Sequence, residues 1–395
     1  MNSYDVLILG GGAAGLMCAA EAAGRGKKVL VLEQSQKPAP KILVSGGGRC
    51  NFTNMYAKPA NYVSSNPAFI HYAMGKFTPK HFIDLVKHAG IAFHEKKDGQ
   101  LFCDTSAKEI IDLLVDRARE KGAKMLLGQK VEDFNHQEGT FTIQANGKTY
   151  TAPKLVVATG GLSWPQLGST DLGFRIAKRF ELKVLPQSPA LCGLTFGEKD
   201  MERFKDLSGV HGRAWASTGK WKMEEDFLIT HKGLSGPLLL NCSLHWNPGQ
   251  EVTINWIPEM SAEETFQQLK KDKVAGGRGE YRKWFEGRLP RRLAERIAWN
   301  AGARGAWAAL PDDVLLTLAK DINALTFIPS GTFGYRMAEV TRGGVDTREI
   351  SRETMETKKV PGLYFIGEVL DVTGMLGGFN FQWAWASGWT CGQAL

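Results

Sequence analysis

The stretch Gly10-Gly11-Gly12-Ala13-Ala14-Gly15 constrains this chain more than any other. An apolar run, Tyr4–Leu9, leads into it, and an alanine-rich stretch, Ala13–Gly24, leaves it and reads as a helix. Lys28–Glu33 (Lys-Val-Leu-Val-Leu-Glu) then reads as a second buried strand. Strand, glycine turn, helix and strand make one right-handed βαβ unit. Gly10 permits the tight turn, Gly12 lets backbone approach a diphosphate, and Gly15 lets helix and strand pack closely. The free N–H groups of the helix start, at Ala13 and Ala14, and its positive dipole end then favour phosphate. Glu33 closes the second strand, where its carboxylate accepts from a ribose 2′-OH and disfavours a 2′-phosphate.

That loop alone leaves FAD and NAD both open. Ala158-Thr159-Gly160-Gly161 ends a buried strand (Lys154–Ala158), and Gly367-Glu368 ends another (Leu363–Ile366). Both bring backbone to the same crevice at the carboxyl ends of parallel strands. The second resembles the late strand–Gly–acid element with which glutathione-reductase-like flavoproteins hold FAD. Here the acid is Glu368 rather than the usual Asp, with Asp371 close behind, so either is the candidate flavin contact. The turn Thr373–Asn380 runs into a terminal helix whose N–H groups, at Gly378, Phe379, Asn380 and Phe381, suit the negative charge of a reduced flavin. Gln34, beside Glu33, and Val131, at the head of a strand over Val131–Phe134, complete the expected FAD set.

The chain has 395 residues, 43% of them hydrophobic, so more than a single core is expected. No apolar run is long enough for a membrane span, and the first residues lack a signal peptide's basic region. Six scattered cysteines suit reduced thiols in the cytoplasm and give no metal site and no disulfide framework. Phe77–Ala89 and Ala107–Lys121 read as amphipathic helices; Lys124–Leu127 and Thr140–Gln144 read as strands; Gln36–Asn54 reads as a loop. From about residue 190 the pattern changes to short alternating segments, and from Ser261 to helices. The expected fold is α/β: a Rossmann-like FAD-binding domain (1–189 and 328–395) carrying an inserted antiparallel β domain (190–260) and a basic helical subdomain (261–327).

The net charge of +8 is unevenly spread, since Lys270–Arg304 holds eleven basic residues against four acids. Lys270, Lys271, Lys273, Arg282, Lys283, Arg288, Arg291, Arg292 and Arg296 there are interleaved with Tyr281, Trp284, Phe285, Trp299 and Trp307. Basic side chains displace counterions from phosphates and aromatic rings stack on bases, so this segment is a candidate RNA-binding surface. By itself it is equally a solvated helical face over core tryptophans. If it holds RNA, affinity falls steeply with salt and charge reversal at Arg291 and Arg292 weakens it; an affinity indifferent to salt contradicts the role.

Ser45-Gly46-Gly47-Gly48-Arg49-Cys50-Asn51-Phe52-Thr53-Asn54 sets polar side chains directly behind three glycines. Lys41, Gly46, Gly48, Arg49, Cys50 and Asn51 are candidates for contacting FAD or an anionic substrate. Together with Thr230–Pro237, Glu339–Val345, Gly362–Glu368 and Gly377–Asn380, the stretch Lys41–Asn54 resembles the BaiN/RdsA family of flavoproteins over essentially the whole chain. That resemblance implies an FAD domain with an inserted β-barrel and a helical subdomain, and NAD(P)H-dependent reduction of conjugated C=C bonds. One branch reduces bile-acid intermediates, and another makes dihydrouridine in large-subunit ribosomal RNA. Many members have Pro after the Phe of a Gly-x-x-Phe-Pro-x-Ser segment, whereas this chain has Gly99-Gln-Leu-Phe-Cys-Asp-Thr-Ser106, closer to the ribosomal branch.

Reducing uridine at C5=C6 needs a hydride at C6 and a proton at C5. Cys103 and Cys50 are candidate acids, because an ordinary thiol stays protonated at neutral pH; each is equally well a small buried hydrophobe. Arg49 or Lys41 is placed to polarise a uracil carbonyl. No second Gly-x-Gly-x-x-Gly joins a strand to a helix, so NADH or NADPH is expected to bind transiently over the flavin of a monomer. Two other readings stand beside this one: an ene-reductase for a small conjugated enone, and a non-catalytic RNA-binding protein that keeps FAD as structure.

Overall fold

The computed structural model describes residues 2–274 and 282–395. They form two compact units, Met1–Pro189 with Glu339–Leu395, and Ala190–Ala338.

The strands that build the first unit's site are β1 (Val6–Leu9), β2 (Val29–Leu32), β3 (Asn51–Asn54), β4 (Phe93–Glu95) and β5 (Gln100–Cys103). β6 (Lys124–Leu126), β7 (Lys154–Val157), β8 (Val340–Val345) and β9 (Leu363–Phe365) follow. Its helices include α1 (Ala13–Gly24) and α2 (Phe379–Ala394). The central sheet is parallel, in the order β9-β7-β1-β2-β6. β1 and β2 are buried at every position, which is why both read as unbroken apolar runs. In register, Leu7 lies between Leu30 and Leu155, and Leu155 pairs with Leu363, so every connection ends at one edge.

The segment Gln36–Asn54, expected as a loop, is structured. It holds a short helix (Pro40–Val44), a 3-10 turn (Ser45–Gly48) and β3. β3 takes its shape from antiparallel pairing with β5, residue Asn51 facing Phe102, and β4 completes a three-stranded sheet. A strand of this length, with its register shifted between Asn51 and Thr53, carries no readable alternation.

α2 lies across α1. A Cβ on Gly388 would stand 2.4 Å from the Ala14 carbonyl oxygen, and one on Gly392 would stand 2.4 Å from the Glu21 Cβ. Only glycine allows that approach, and the buried polar groups of α2 then reach the loops around it. The Gly367 N–H donates to Ser387 Oγ at 3.0 Å, and Trp383 Nε1 donates to the Gly367 carbonyl at 3.1 Å. Trp385 Nε1 donates to the Phe52 carbonyl at 2.8 Å. Gln382, fully buried, accepts from Thr53 Oγ1 at 2.7 Å and donates to the Phe77 carbonyl at 2.9 Å.

In the second unit a sheet of seven strands runs in the order 325–327, 252–255, 211–218, 221–229, 233–235, 194–195 and 331–332. Its edge strands, Leu325–Phe327 and Gly331–Thr332, are joined by Ile328–Ser330. A connection that short spans about 10 Å, so the sheet curls on itself as a barrel does. The helices Ala262–Val274, Arg291–Asn300 and Asp312–Asn323 share a core with it, Leu269, Leu293 and Leu318 packing in one cluster with Trp256 and Ile254. Among the described residues no helix is long and apolar enough to cross a membrane, and no group of His, Cys, Asp or Glu could hold a metal ion.

Gly388→Ala is expected to destabilise the protein by about 1–3 kcal/mol through forced separation of α1 and α2. Chemical denaturation reads this directly, and an unchanged midpoint would contradict the close crossing.

Candidate functional site

The glycine loop, Glu33, Ala158–Gly161 and Gly367–Glu368 all leave the carboxyl ends of the parallel strands. Gly10 has φ +107°, and a Cβ there would meet the Ala158 carbonyl oxygen at 2.4 Å. A Cβ on Gly15 would lie 2.0 Å from the Gly10 carbonyl oxygen. Over Gly12, by contrast, a Cβ would meet nothing within 4 Å. α1 begins there with no side-chain cap, so no side chain of its N-cap takes up the first N–H groups, at Ala13 and Ala14. The Thr159 hydroxyl, buried without a partner, faces Gly173, where a Cβ would lie within van der Waals distance of it, and so stands apart from the cradle. An uncapped helix start over an open cradle fits the diphosphate of a dinucleotide.

Glu33 clamps this loop. Its carboxylate accepts from the Gly11 and Ser35 N–H groups, each at 2.7 Å. Burial raises its pKa, and the N–H groups of Ser35, Gly11 and Gln34 pull it back. The Gln34 amide donates to the Gly168 carbonyl. Val131 heads a strand just beyond Gly128 and Gln129, whose N–H groups bond the Ser35 and Glu33 carbonyls.

Glu368 and Asp371 separate in space. Glu368 accepts from Lys41 Nζ at 2.7 Å, Thr341 N at 2.9 Å and Ser163 Oγ at 3.0 Å. A Cβ on Gly161 would stand 3.0 Å from its carboxylate, so Glu368 belongs with the Gly160–Gly161 turn. Asp371 instead accepts from Ser65 N at 2.8 Å. Lys41 also donates to Ser163 Oγ at 2.8 Å, and burial together with Glu368 raises the pKa of neighbouring Glu339 while Lys41 lowers it. Ser163, Thr341 and Glu339 carry no signal of their own in the sequence, although Glu339 and Thr341 stand in a stretch singled out there. Short polar residues bonded across some 180 positions leave no local pattern.

The loop after Lys41 lies against β5. The Arg49 carbonyl accepts from Cys103 N at 2.9 Å and the Gly48 carbonyl from Ala107 N at 2.7 Å, which brings Arg49, Cys50 and Cys103 together. Gly46 has φ +57°, and a Cβ there would stand 2.8 Å from Asn51 N. With its amide turned to satisfy both ends, Asn51 accepts from Gly378 N at 3.2 Å. Gly378, at φ +90°, opens α2, and Asn380 pins the turn before it by accepting from Gly374 N at 2.8 Å. Phe379 is nearly buried against Tyr62, and Phe381 stacks on Trp385 at 5.6 Å. Arg49 is exposed, whereas both thiols lie in the hydrophobic core. Burial pushes Cys103 up to about 12 and Cys50 higher still.

Four described cations of the second unit's basic segment pair with carboxylates within that unit. Lys270 and Lys273 share Asp312 at 2.9 and 3.2 Å, Arg291 pairs with Glu295 at 3.0 Å, and Arg296 with Asp206 at 3.4 Å. Arg292 donates to the Asp206 and Ser208 carbonyls, Arg288 stacks over Trp284, and Lys271 is exposed. The expectation that the interleaved rings stack on bases is corrected for Trp284, Phe285 and Trp307, which are 8%, 2% and 4% exposed because the shared core takes them. Trp299 remains 60% exposed, with the Arg304 guanidinium 3.5 Å from its ring centre. Tyr281, Arg278 and the side chains of Arg282 and Lys283 lie outside the described residues.

Glu368→Ala removes the acceptor shared by Lys41, Ser163 and Thr341. A loss of about 2 kcal/mol is expected in chemical denaturation, with Glu368→Gln losing less; wild-type stability in both variants would contradict a structural role for this carboxylate.

Residues 4–394 match the family described as HI0933-like protein Rossmann domain. The whole chain is 45% identical to a ribosomal RNA dihydrouridine synthase of Escherichia coli (strain K12), covering 98% of it. It is 41% identical, again over its full length, to a protein of the same name from Haemophilus influenzae, covering 99% of that chain. Over 98% of both chains it is 28% identical to a 3-dehydro-bile acid delta(4,6)-reductase of Clostridium scindens. The chain is thus an enzyme of the HI0933-like Rossmann family, the family that its motifs resemble.

Proposed function

We propose that the chain is a cytoplasmic, FAD-dependent reductase, driven by NADH or NADPH, that forms dihydrouridine in large-subunit ribosomal RNA. The observation that carries this is the 45% identity, end to end, with a ribosomal RNA dihydrouridine synthase. FAD fits the first unit: Gly10–Gly15 and the α1 start would hold the diphosphate, with Glu33 beside the adenosine ribose. Gly160, Gly161 and Gly367 would lie along the ribityl chain, and the α2 start at Gly378–Phe381 at the pyrimidine. Reduced FAD, when bound, supplies a hydride for C6 of the uracil ring.

The chain's own residues must then bind the base, exclude water and deliver a proton to C5. We assign that proton to Lys41, because its ammonium is half-exposed and held in place by Glu368 and Ser163. Nζ gives up a proton to C5 and is reprotonated from solvent, while Glu368 keeps the nitrogen oriented. Arg49, exposed at the loop tip, polarises a uracil carbonyl. Cys103 and Cys50 hold protons throughout the neutral range but expose no surface, and we assign them to packing beneath the loop.

The test is nucleoside mass spectrometry of unmodified ribosomal RNA incubated with purified enzyme and NADH or NADPH. A new dihydrouridine is expected, and cofactor oxidation without it would remove the RNA assignment in favour of a small enone substrate. Lys41→Met should lower kcat by about 100-fold with little change in KM. Cys103→Ala and Cys50→Ala should keep kcat within a few-fold and lower the unfolding midpoint. A 100-fold loss in either cysteine variant would move the acid role to that thiol.

A further inference from the structure

We propose that the face of the β3–β5–β4 sheet that meets the glycine-rich loop, with its rim at Tyr56, grips a single-stranded segment of the RNA substrate, Tyr56 stacking on a base. The choice of RNA rests on the dihydrouridine assignment; the surface itself rests on the following geometry.

Successive side chains of a strand point to opposite faces. Leu101 and Cys103 are buried in the core, so Gln100 and Phe102 occupy the other face of β5. Cross-strand pairing sets Asn51 on one side of Phe102 and His94 on the other. This face meets the candidate cofactor site. A Cβ on Gly46 would lie 2.9 Å from the Phe102 ring, and one on Gly377 would lie 3.3 Å from the Gln100 side chain. On the same ring, Lys96 Nζ stands 5.4 Å from the centre and His94 stacks at 6.3 Å.

Tyr56 is 65% exposed, and folding gives no reason for so large a ring to remain in water. It is nevertheless held firmly. Its N–H donates to Asn54 Oδ1 at 2.9 Å, and Asn54 Nδ2 donates to the Gly377 carbonyl at 3.1 Å, tying it to the turn that opens α2. The ring edge covers Gly99, where a Cβ would come within 2.6 Å of Tyr56 Cδ2. A rigid, exposed aromatic ring loses little conformational freedom when a base stacks on it. The other large hydrophobics exposed in the first unit include Leu43, Val44 and Met55, which flank the same loop. Apolar surface concentrated at a rim marks a binding site.

Charge selects the partner. Arg49, Lys58 and Lys96 are exposed and hold no ion pair among the described residues. Exposed Glu95, Asp98 and Asp104 share this rim; Asp104 bonds His94 at 2.6 Å and Glu95 accepts from the Gly99 N–H at 2.8 Å. These three cations belong to the same unit as the candidate site. Arg49 and Tyr56 bracket β3, which at ~3.3 Å per residue spans about 13 Å. Phe102 is only 8% exposed beneath the loop, so Tyr56 is the stacking ring, and one exposed ring with cations alongside suits a flexible, anionic single strand.

The test measures binding of a fluorescent oligouridylate to the FAD-loaded full-length enzyme by anisotropy, at several salt concentrations. Tyr56→Ala should weaken binding about tenfold, with Tyr56→Trp restoring it. Lys58→Ala and Lys96→Ala should each reduce the slope of log Kd against log salt by about 0.7. Wild-type affinity and slope in these variants would overturn the proposal, as would failure of the wild type to bind the oligomer. Self-association abolished by Tyr56→Ala, with RNA affinity unchanged, would instead make the face a contact with a second copy. Dihydrouridine formation is scored separately. Turnover unchanged in Tyr56→Ala counts against the surface alone, whereas Tyr56-dependent binding without any dihydrouridine counts against the reaction alone.

Discussion

The approach of Gly15 to the Gly10 carbonyl is the contact on which the rest depends. With a Cβ there at 2.0 Å, no other residue lets α1 begin so near the end of β1. That closeness leaves the helix start open over Gly12 and aims its N–H groups across the carboxyl ends of the sheet. The same economy recurs where Gly388 meets the Ala14 carbonyl, so α2 rests directly on α1. Glycine at both crossings turns two helices into a frame. The loops that matter chemically are hung from it by buried hydrogen bonds of Gln382, Trp383, Trp385 and Ser387.

Within that frame the site is governed by one carboxylate. Glu368 holds Lys41, Ser163 and the Thr341 backbone together, so segments distant in sequence are fixed at a single point. An ammonium kept in place by such an acceptor is fixed in position, which suits the proton delivery proposed for Lys41. The thiols follow the opposite logic. Burial holds them neutral, and neutral sulfur packs as a small hydrophobe beneath the loop.

Much of the parallel sheet was legible because buried strands read as apolar runs, and because Gly10, Gly12 and Gly15 between a strand and a helix mark a close turn. The helix Ala13–Gly24 is found at the residues its composition marks. Tertiary pairing was not legible. β3 looked like loop because its partner lies some fifty residues on, and Ser163 and Thr341 matter only through bonds to distant segments. The surroundings of the basic segment were not legible for a related reason. Charge can be counted in sequence, but the pairing of some of it with Asp206 and Asp312 and the burial of Trp284 and Trp307 are properties of the fold. Conversely, Tyr56 and Lys96 carry no motif, and they stand out only because both are exposed beside the glycine-rich loop.

The most direct test of the central claim is isotopic. Holoenzyme reduced with nicotinamide deuterated at the transferable position is mixed with unmodified ribosomal RNA, and the nucleosides are analysed for the position of the label. Deuterium at C6 of dihydrouridine, with a solvent hydrogen at C5, is the expected result. Label at C5 would contradict hydride delivery to C6 opposite a proton from the protein.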